Sequence, residues 1–122
     1  MKNTDRQTNR FQIHACTDLS QSYIFVSYSH KDADLVADLL RLMQENHFRF
    51  WYDEGIESGS HWDDVLYDRI TGCSQFVCFF SHNAVESEHV KNEVHLARKY
   101  GKQILPVFLD DVTLRGGLEL AL

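Results

Sequence analysis

The 122-residue sequence has only three cysteines and no long apolar run, and each shortage excludes a class of protein. Its three cysteines, Cys16, Cys73 and Cys78, are odd in number and form no CxxC pair, which favours free thiols in a reducing compartment. No apolar stretch approaches about 18 residues, and residues 1–21 lack the apolar core of a signal peptide. The sequence therefore predicts a cytoplasmic protein that does not span a membrane.

Positive charge is scarce too, because 12 Lys and Arg face 18 Asp and Glu, for a net charge of −6. That balance argues against direct binding to nucleic acid or to an anionic membrane. Neither GxGxxG nor GxxxxGK[ST] occurs, so we expect no Rossmann or P-loop cofactor site. The histidines His82, His89 and His95 lack the i, i+4 spacing of a helical metal pair, and we expect no metal site.

Apolar periodicity predicts strands that alternate with helices in a single domain. Strands are expected at residues 23–28, 48–52, 76–80 and 103–109, with helices that end near Asn46, Gly72 and Gly101. Ser29 and Asp32 resemble the capping box that opens a helix. This alternation predicts a parallel sheet. Residues 1–21 are expected to form a flexible tail or linker, and residues 22–122 a domain that is incomplete at its C-terminal end.

One carboxylate interrupts the apolar stripe of the third predicted helix. That stripe consists of Val90, Val94, Ala97 and Tyr100. Glu93 falls within it and should face inward, where an unpaired charge costs several kcal/mol. His89, one turn earlier, is its nearest local companion, and pairing with Arg98, Lys102 or a backbone amide would give Glu93 a structural role. The position thus predicts either a buried partner or a chemical function.

Ligands of open parallel sheets bind at the carboxyl ends of the strands, where polar loops leave the predicted sheet. These loops are residues 29–32, 53–61, 81–87 and the segment from 110 onward. The candidate side chains that they bring together with Glu93 are Tyr28, Ser29, His30, Trp62 and His89. The simpler interpretation of Ser27 and Ser29 is that their hydroxyls bond to the backbone. The simpler interpretation of Trp62 is that it packs in the hydrophobic core.

Four motifs resemble the conserved boxes of the Toll/interleukin-1 receptor (TIR) domain family, of the bacterial type, in order and spacing across residues 23–109. They are Phe25-Val26-Ser27-Tyr28-Ser29, then Asp53 with Gly59 and Trp62, then Phe79-Phe80-Ser81 with Ser87 and Glu93, and finally Ile104-Leu105-Pro106-Val107. The resemblance implies a flavodoxin-like α/β fold with helices on both faces of a doubly wound parallel sheet. The expected strand order is 2-1-3-4, with a fifth strand absent or incomplete.

The resemblance also implies an activity. In the enzymatic branch of the family, a glutamate in the third helix cleaves the bond between nicotinamide and ribose in NAD⁺, and by motif that residue is Glu93. NAD⁺ would then be a substrate rather than a cofactor, and the products would be nicotinamide and ADP-ribose or a cyclic ADP-ribose. Bacterial immune defence, including defence against phage, or signalling is the implied setting. His89 stands where many family enzymes carry Trp, and His30 where some relatives carry Arg.

The glycine-containing loop at residues 53–61 corresponds to the family's mobile BB loop. The resemblance implies that it packs against a neighbouring copy, with Asp53, Ile56 and Gly59 in the assembly loop. Other TIR domains are the expected partners, together with further domains of a longer chain.

Two other functions stay open at this point. A non-catalytic TIR module would act by self-association alone, with Glu93 structural. A phosphoacceptor receiver on the same fold needs an acidic pair after strand one and an Asp after strand three. This chain has Ser29-His30 and Phe80-Ser81 there, so the receiver is nearly excluded.

Overall fold

Strands and helices alternate along the chain in a computed structural model that describes residues 13, 18–53 and 60–121, without the side chains of 60–62 and 121. The strands are β1 (Ile24–Ser27), β2 (Phe50–Tyr52), β3 (Gln75–Phe80) and β4 (Ile104–Phe108). The helices are α1 (Ala33–Glu45), α2 (Ser60–Gly72), α3 (His82–Val85), α4 (Glu88–Lys99) and α5 (Gly117–Ala121), and a 3₁₀ turn (His30–Asp32) precedes α1. No helix within the described ranges is long and apolar enough to cross a membrane.

The described strands form one parallel sheet in the order β2-β1-β3-β4. In its register, Val26 of β1 lies between Tyr52 of β2 and Val77 of β3. The flavodoxin-like order 2-1-3-4 predicted from the sequence is confirmed. Because all four strands run the same way, the segments that leave their carboxyl ends share one edge of the sheet.

Each face of the sheet covers a separate hydrophobic core, because successive side chains of a strand point to opposite faces. On one face, Phe25 and Phe76 stack with ring centroids 5.2 Å apart beneath α2, α4 and α5. On the other face, Val26 and Val77 pack with α1. Ile13 is buried in this second core, and its carbonyl accepts a hydrogen bond from Tyr52 Oη at 3.2 Å. Helices therefore cover both faces, as predicted.

Helix α4 carries Glu93 and has well-formed ends. Ser87 caps its N-terminus by accepting a hydrogen bond from the Val90 backbone N–H at 3.3 Å. Arg98 and Lys99 lie in the last turn, where positive charge is favourable to the helix dipole. Gly101 follows with φ 73°, a left-handed conformation that favours glycine.

The predicted inward stripe of α4 is correct except at its last member. Val90, Val94 and Ala97 are fully buried, but Tyr100 is exposed. The helix ends at Lys99, so the helical spacing no longer applies at Tyr100, whose hydroxyl lies 3.0 Å from that of Tyr67.

The predicted capping box at Ser29 and Asp32 forms only in its Ser29 half. Ser29 Oγ accepts a hydrogen bond from Lys31 N at 3.3 Å and so caps the 3₁₀ turn. The Asp32 carboxylate reaches across the sheet edge instead, where it accepts from Ser81 Oγ and, at 2.8 Å, from Asn83 Nδ2. Residues 81–87, expected to form a loop, contain the short helix α3. The hydrogen bonds from Ser81 and Asn83 to Asp32 connect α3 to the start of α1.

Candidate active site

The segments that follow the strands meet at the carboxyl edge of the sheet, as the topology predicts. Tyr28, after β1, donates its hydroxyl to the Asp53 carbonyl after β2 at 2.9 Å. His89 Nε2 lies 3.3 Å from the Tyr28 carbonyl. The backbone N–H of His82 donates to Asp110 Oδ2, beyond β4, at 3.0 Å. Hydrogen bonds thus connect segments that follow different strands at one edge of the sheet.

Glu93 faces inward from α4 and is 4% exposed. Its carboxylate accepts a hydrogen bond from Ser27 Oγ, at the end of β1, with an Oγ to Oε1 distance of 2.7 Å. The partner is therefore Ser27, not His89 or Lys102, whose Nζ donates to the Cys73 carbonyl at 2.8 Å. The expectation that Ser27 would bond only to backbone is wrong, because the hydroxyl points at α4.

The electrostatics around Glu93 favour its neutral form. Burial raises its pKa to about 8, the hydrogen bond from Ser27 opposes the rise, and the negative charge of Asp53 adds to it. Oε2 is buried without a hydrogen-bond partner in the described part of the chain. Near neutral pH the carboxyl of Glu93 is therefore mostly protonated. Its Oε1 is hydrogen-bonded to Ser27, and its Oε2 has no hydrogen-bond partner among the described residues.

Two imidazoles lie against each other at the same edge of the sheet, with the ring centroids of His30 and His89 4.7 Å apart and the ring planes tilted by 32°. His89 is held at both nitrogens, by the Tyr28 carbonyl and by Ser87 Oγ at 3.0 Å. Burial, and next the neighbouring His30, lower the pKa of His89. His30 Nε2 lies 4.0 Å from the buried carboxylate of Asp53. A cluster of rings and the Asp53 carboxylate thus lies at the carboxyl edge of the sheet.

Among the candidate residues from the sequence, ring contacts and a hydrogen bond join Tyr28, His30 and His89, and Glu93 lies one turn after His89 on α4. Ser29 is buried, and its hydroxyl is used to cap its own turn. Asp53 also belongs to this cluster. Ile56, Gly59 and the side chain of Trp62 lie outside the described residues.

Sequence reasoning missed the role of Ser27 beside Glu93. A signal was available, because Ser27 is a hydroxyl on a strand that apolar residues cover on both faces, and a buried hydroxyl requires a partner. The sequence separation of 66 residues hides which partner it finds.

One group of possible metal ligands occurs in the described ranges, away from Glu93. His82, Asp110 and Asp111 are exposed and bring one ligand atom each within 4.8 Å of the others. His82 Nδ1 lies 3.0 Å from Asp110, and this hydrogen bond is the main reason why the pKa of His82 is raised. The group reads as an exposed ion-pair cluster.

Comparison with known proteins gives a family and a fold. A family model described as TIR domain matches residues 24–120. The TIR domain of the Toll-related receptor TRR-2 from Hydra magnipapillata is similar with a TM-score of 0.70 and 12% identity, over 81% of this chain and 79% of that one. The TIR domains of the activated Roq1 resistosome, which directly recognises the pathogen effector XopQ, are similar with a TM-score of 0.61 and 21% identity. That match covers 72% of this chain and 57% of the Roq1 chain. No curated protein matches the sequence.

Proposed function

The chain belongs to the TIR domain family, and from that premise we propose that it is a TIR-domain NAD⁺ glycohydrolase. It would cleave the bond between nicotinamide and ribose in NAD⁺ and give ADP-ribose or a cyclic ADP-ribose. One observation carries the proposal: a carboxyl buried at the ligand-binding edge of a parallel sheet, with only one oxygen hydrogen-bonded in the described structure.

The chemistry needs a negative charge more than it needs an acid. When the bond from ribose C1′ to the pyridinium nitrogen breaks, its electron pair stays on nitrogen, and nicotinamide leaves as a neutral molecule. The sugar is left as an oxocarbenium-like cation, which a nearby carboxylate stabilises. Water then adds to C1′ and loses a proton, or a nitrogen of the same molecule adds and closes a ring. Glu93 is the carboxylate that we assign to this step.

The residues around Glu93 fit the binding of a dinucleotide. His30 and His89 place imidazole rings at the edge of the sheet, and the buried Tyr28 ring lies edge-on to His30 at 5.4 Å. Flat rings bind a nucleobase or a pyridinium by stacking. We assign substrate contact to these three, with Ser29 holding the turn between them and Trp62 as a further contact.

The burial of Glu93 sets a condition on catalysis. At 4% exposure the carboxyl does not reach solvent, so residues over it must move before a ribose can approach. We propose that the loop at residues 53–61 packs against a neighbouring copy and that this assembly completes the site. The likeness to TIR domains of the activated Roq1 resistosome supports homotypic assembly. The implied setting is immune defence or signalling in the cytoplasm.

The same burial favours the second candidate, a non-catalytic TIR module. A glutamate that is protonated and hydrogen-bonded to Ser27 can remain in a core without any reaction. In that case self-association alone would carry the function.

The deciding experiment measures free nicotinamide after incubation with NAD⁺, over a wide range of protein concentration. It should be run at about pH 9, where Glu93 is ionised, as well as at neutral pH. The matched controls are Glu93→Gln and Glu88→Gln, the second of these on the exposed face of the same helix. We expect release by wild type and Glu88→Gln and about 10²-fold less by Glu93→Gln. Self-association without nicotinamide release at any concentration would refute the enzyme and leave the interaction module.

A further inference from the structure

Three side chains from three elements meet beneath the proposed site: Ser27 of β1, Cys78 of β3 and Glu93 of α4. Ser27 and Cys78 are directly paired in the parallel register, so their side chains share the face that α4 covers. Ser27 is 1% exposed, Cys78 is fully buried, and Glu93 lies above them. All three groups are shielded from solvent in this state, so their partners are protein atoms.

In the hydrogen bond between Ser27 and Glu93, the serine hydroxyl is the donor. A serine hydroxyl has one proton, and Ser27 gives it to Glu93 Oε1 at 2.7 Å. Cys78 is paired with Ser27 in the register of β1 and β3, so its buried thiol lies on the same face beside this hydroxyl. The Ser27 hydroxyl therefore connects β1 to α4 and orients Oε1 of Glu93.

We propose that Ser27 is the positioning residue of this site, which holds Oε1 of Glu93 and leaves Oε2 for the ribosyl cation. This inference rests on the proposed function. A glutamate side chain has three rotatable bonds, and a catalytic group must be held within about 0.5 Å of its productive position. The hydrogen bond on Oε1 supplies that restraint. Oε2, without a partner among the described residues, is the oxygen available to the substrate.

The same hydrogen bond sets the ionisation of Glu93, which gives the inference a readout beyond stability. Burial raises the pKa of Glu93 and the Ser27 hydroxyl lowers it, so loss of the hydroxyl must raise the pKa above its value of about 8. The titratable neighbours are Cys78 below, Asp53 after β2, and the His30 and His89 pair. Burial and then the Glu93 charge raise the pKa of Cys78, which therefore stays a thiol. Because the reaction needs the carboxylate, activity should rise with pH up to the pKa of Glu93 and then level off.

The experiment compares Ser27→Ala with Ser27→Thr, which restores a hydroxyl, and measures kcat and KM for NAD⁺ as a function of pH. We expect Ser27→Ala to lower kcat by about tenfold to 10²-fold, with little change in KM on the alkaline plateau, where Glu93 is ionised in both proteins. The midpoint of its pH profile should move upward, and Ser27→Thr should recover part of both. If Ser27→Ala keeps the wild-type kcat and the wild-type midpoint, the positioning role is wrong.

A second measurement separates this inference from the proposed function. The titration of Glu93 is followed by NMR of ¹³C-labelled glutamate in wild type and Ser27→Ala, without NAD⁺. An upward shift of the pKa supports the hydrogen bond even if wild type releases no nicotinamide, and an unchanged pKa overturns the inference. Should Ser27→Ala fail to fold, Ser27→Cys replaces it, because a thiol of similar size is a weaker donor and predicts a smaller upward shift.

Discussion

Glu93 stabilises the folded domain only while it carries a proton. Its pKa is about 8 in the folded chain against 4.5 for an ordinary glutamate, so between these values the folded state binds more protons than the unfolded state. Its contribution is therefore complete below about pH 4.5, falls as pH rises, and is lost above about pH 8. The full difference is on the order of 5 kcal/mol.

Glu93→Gln should separate stability from activity. Glutamine imitates the protonated carboxyl, so the variant should match wild type in free energy of unfolding at about pH 5 and exceed it by about 2–5 kcal/mol at about pH 9. NAD⁺ cleavage should fall about 10²-fold or more because no negative charge remains. Urea unfolding at both pH values, together with nicotinamide release, measures the two effects, with Glu88→Gln as the control. A loss of stability at every pH with unchanged cleavage would mean that Glu93 is structural.

At the residue scale, the direction of Glu93 was predictable and its partner was not. Helical spacing depends only on neighbours in sequence, and it correctly placed Glu93 with Val90 and Val94. The bond to Ser27 depends on how α4 lies over β1, which no local pattern encodes. The contact between the His30 and His89 rings also depends on tertiary packing.

Between elements, Asp32 connects α1 to α3 at the edge of the site. Its carboxylate accepts hydrogen bonds from Ser81 and Asn83, and Ser81 also caps α3 by accepting from Ala84 N at 3.0 Å. A charged acceptor with two donors is worth more than a neutral pair. Asp32 thus joins the segment after β1 to the segment after β3.

Asp32→Ala should lower the free energy of unfolding by about 1–2 kcal/mol, because Ser81 and Asn83 lose their shared acceptor. Lys31→Ala, at the exposed neighbouring position, should change it by less than about 0.5 kcal/mol. Urea unfolding of both variants and of wild type makes the comparison. Equal losses in the two variants would show that the connection contributes nothing specific.

Element boundaries were predictable where a local signal exists. Gly101 ends α4 because its left-handed backbone favours glycine, and the sequence shows that glycine directly. The Asp32 half of the predicted capping box failed for the opposite reason. The aspartate found distant donors on Ser81 and Asn83, and a tertiary contact replaced the local one.

For the whole molecule, the strand order followed from the alternation of apolar strands and helices together with the motif resemblance. Parallel neighbours require helical crossovers, and strands that are apolar on both faces must lie inside a covered sheet. β1 and β3 meet this condition and are the two inner strands. The assembly of copies depends on surfaces, which periodicity does not describe.

Activity should rise faster than linearly with protein concentration if a neighbouring copy completes the site. Ile56→Asp, in the assembly loop, should abolish both self-association and nicotinamide release while circular dichroism stays native. Leu120→Asp places the same charge at an exposed apolar position on α5 and is the matched control. Light scattering and the cleavage assay are run on the same samples. A linear dependence in a stable monomer would show that one copy is sufficient.

The proton on Glu93 also links the binding of a cationic ligand to the release of a proton. A cationic ring that settles beside this carboxyl favours its ionised form, so each binding event near pH 7 should release up to about one proton to the buffer. Calorimetry with a charged, cleavage-resistant NAD⁺ analogue should then give heats that change with the ionisation enthalpy of the buffer. The dependence should vanish in Glu93→Gln and well above the pKa of Glu93. Acidification of the surroundings would consequently weaken substrate binding before any contact in the fold is broken.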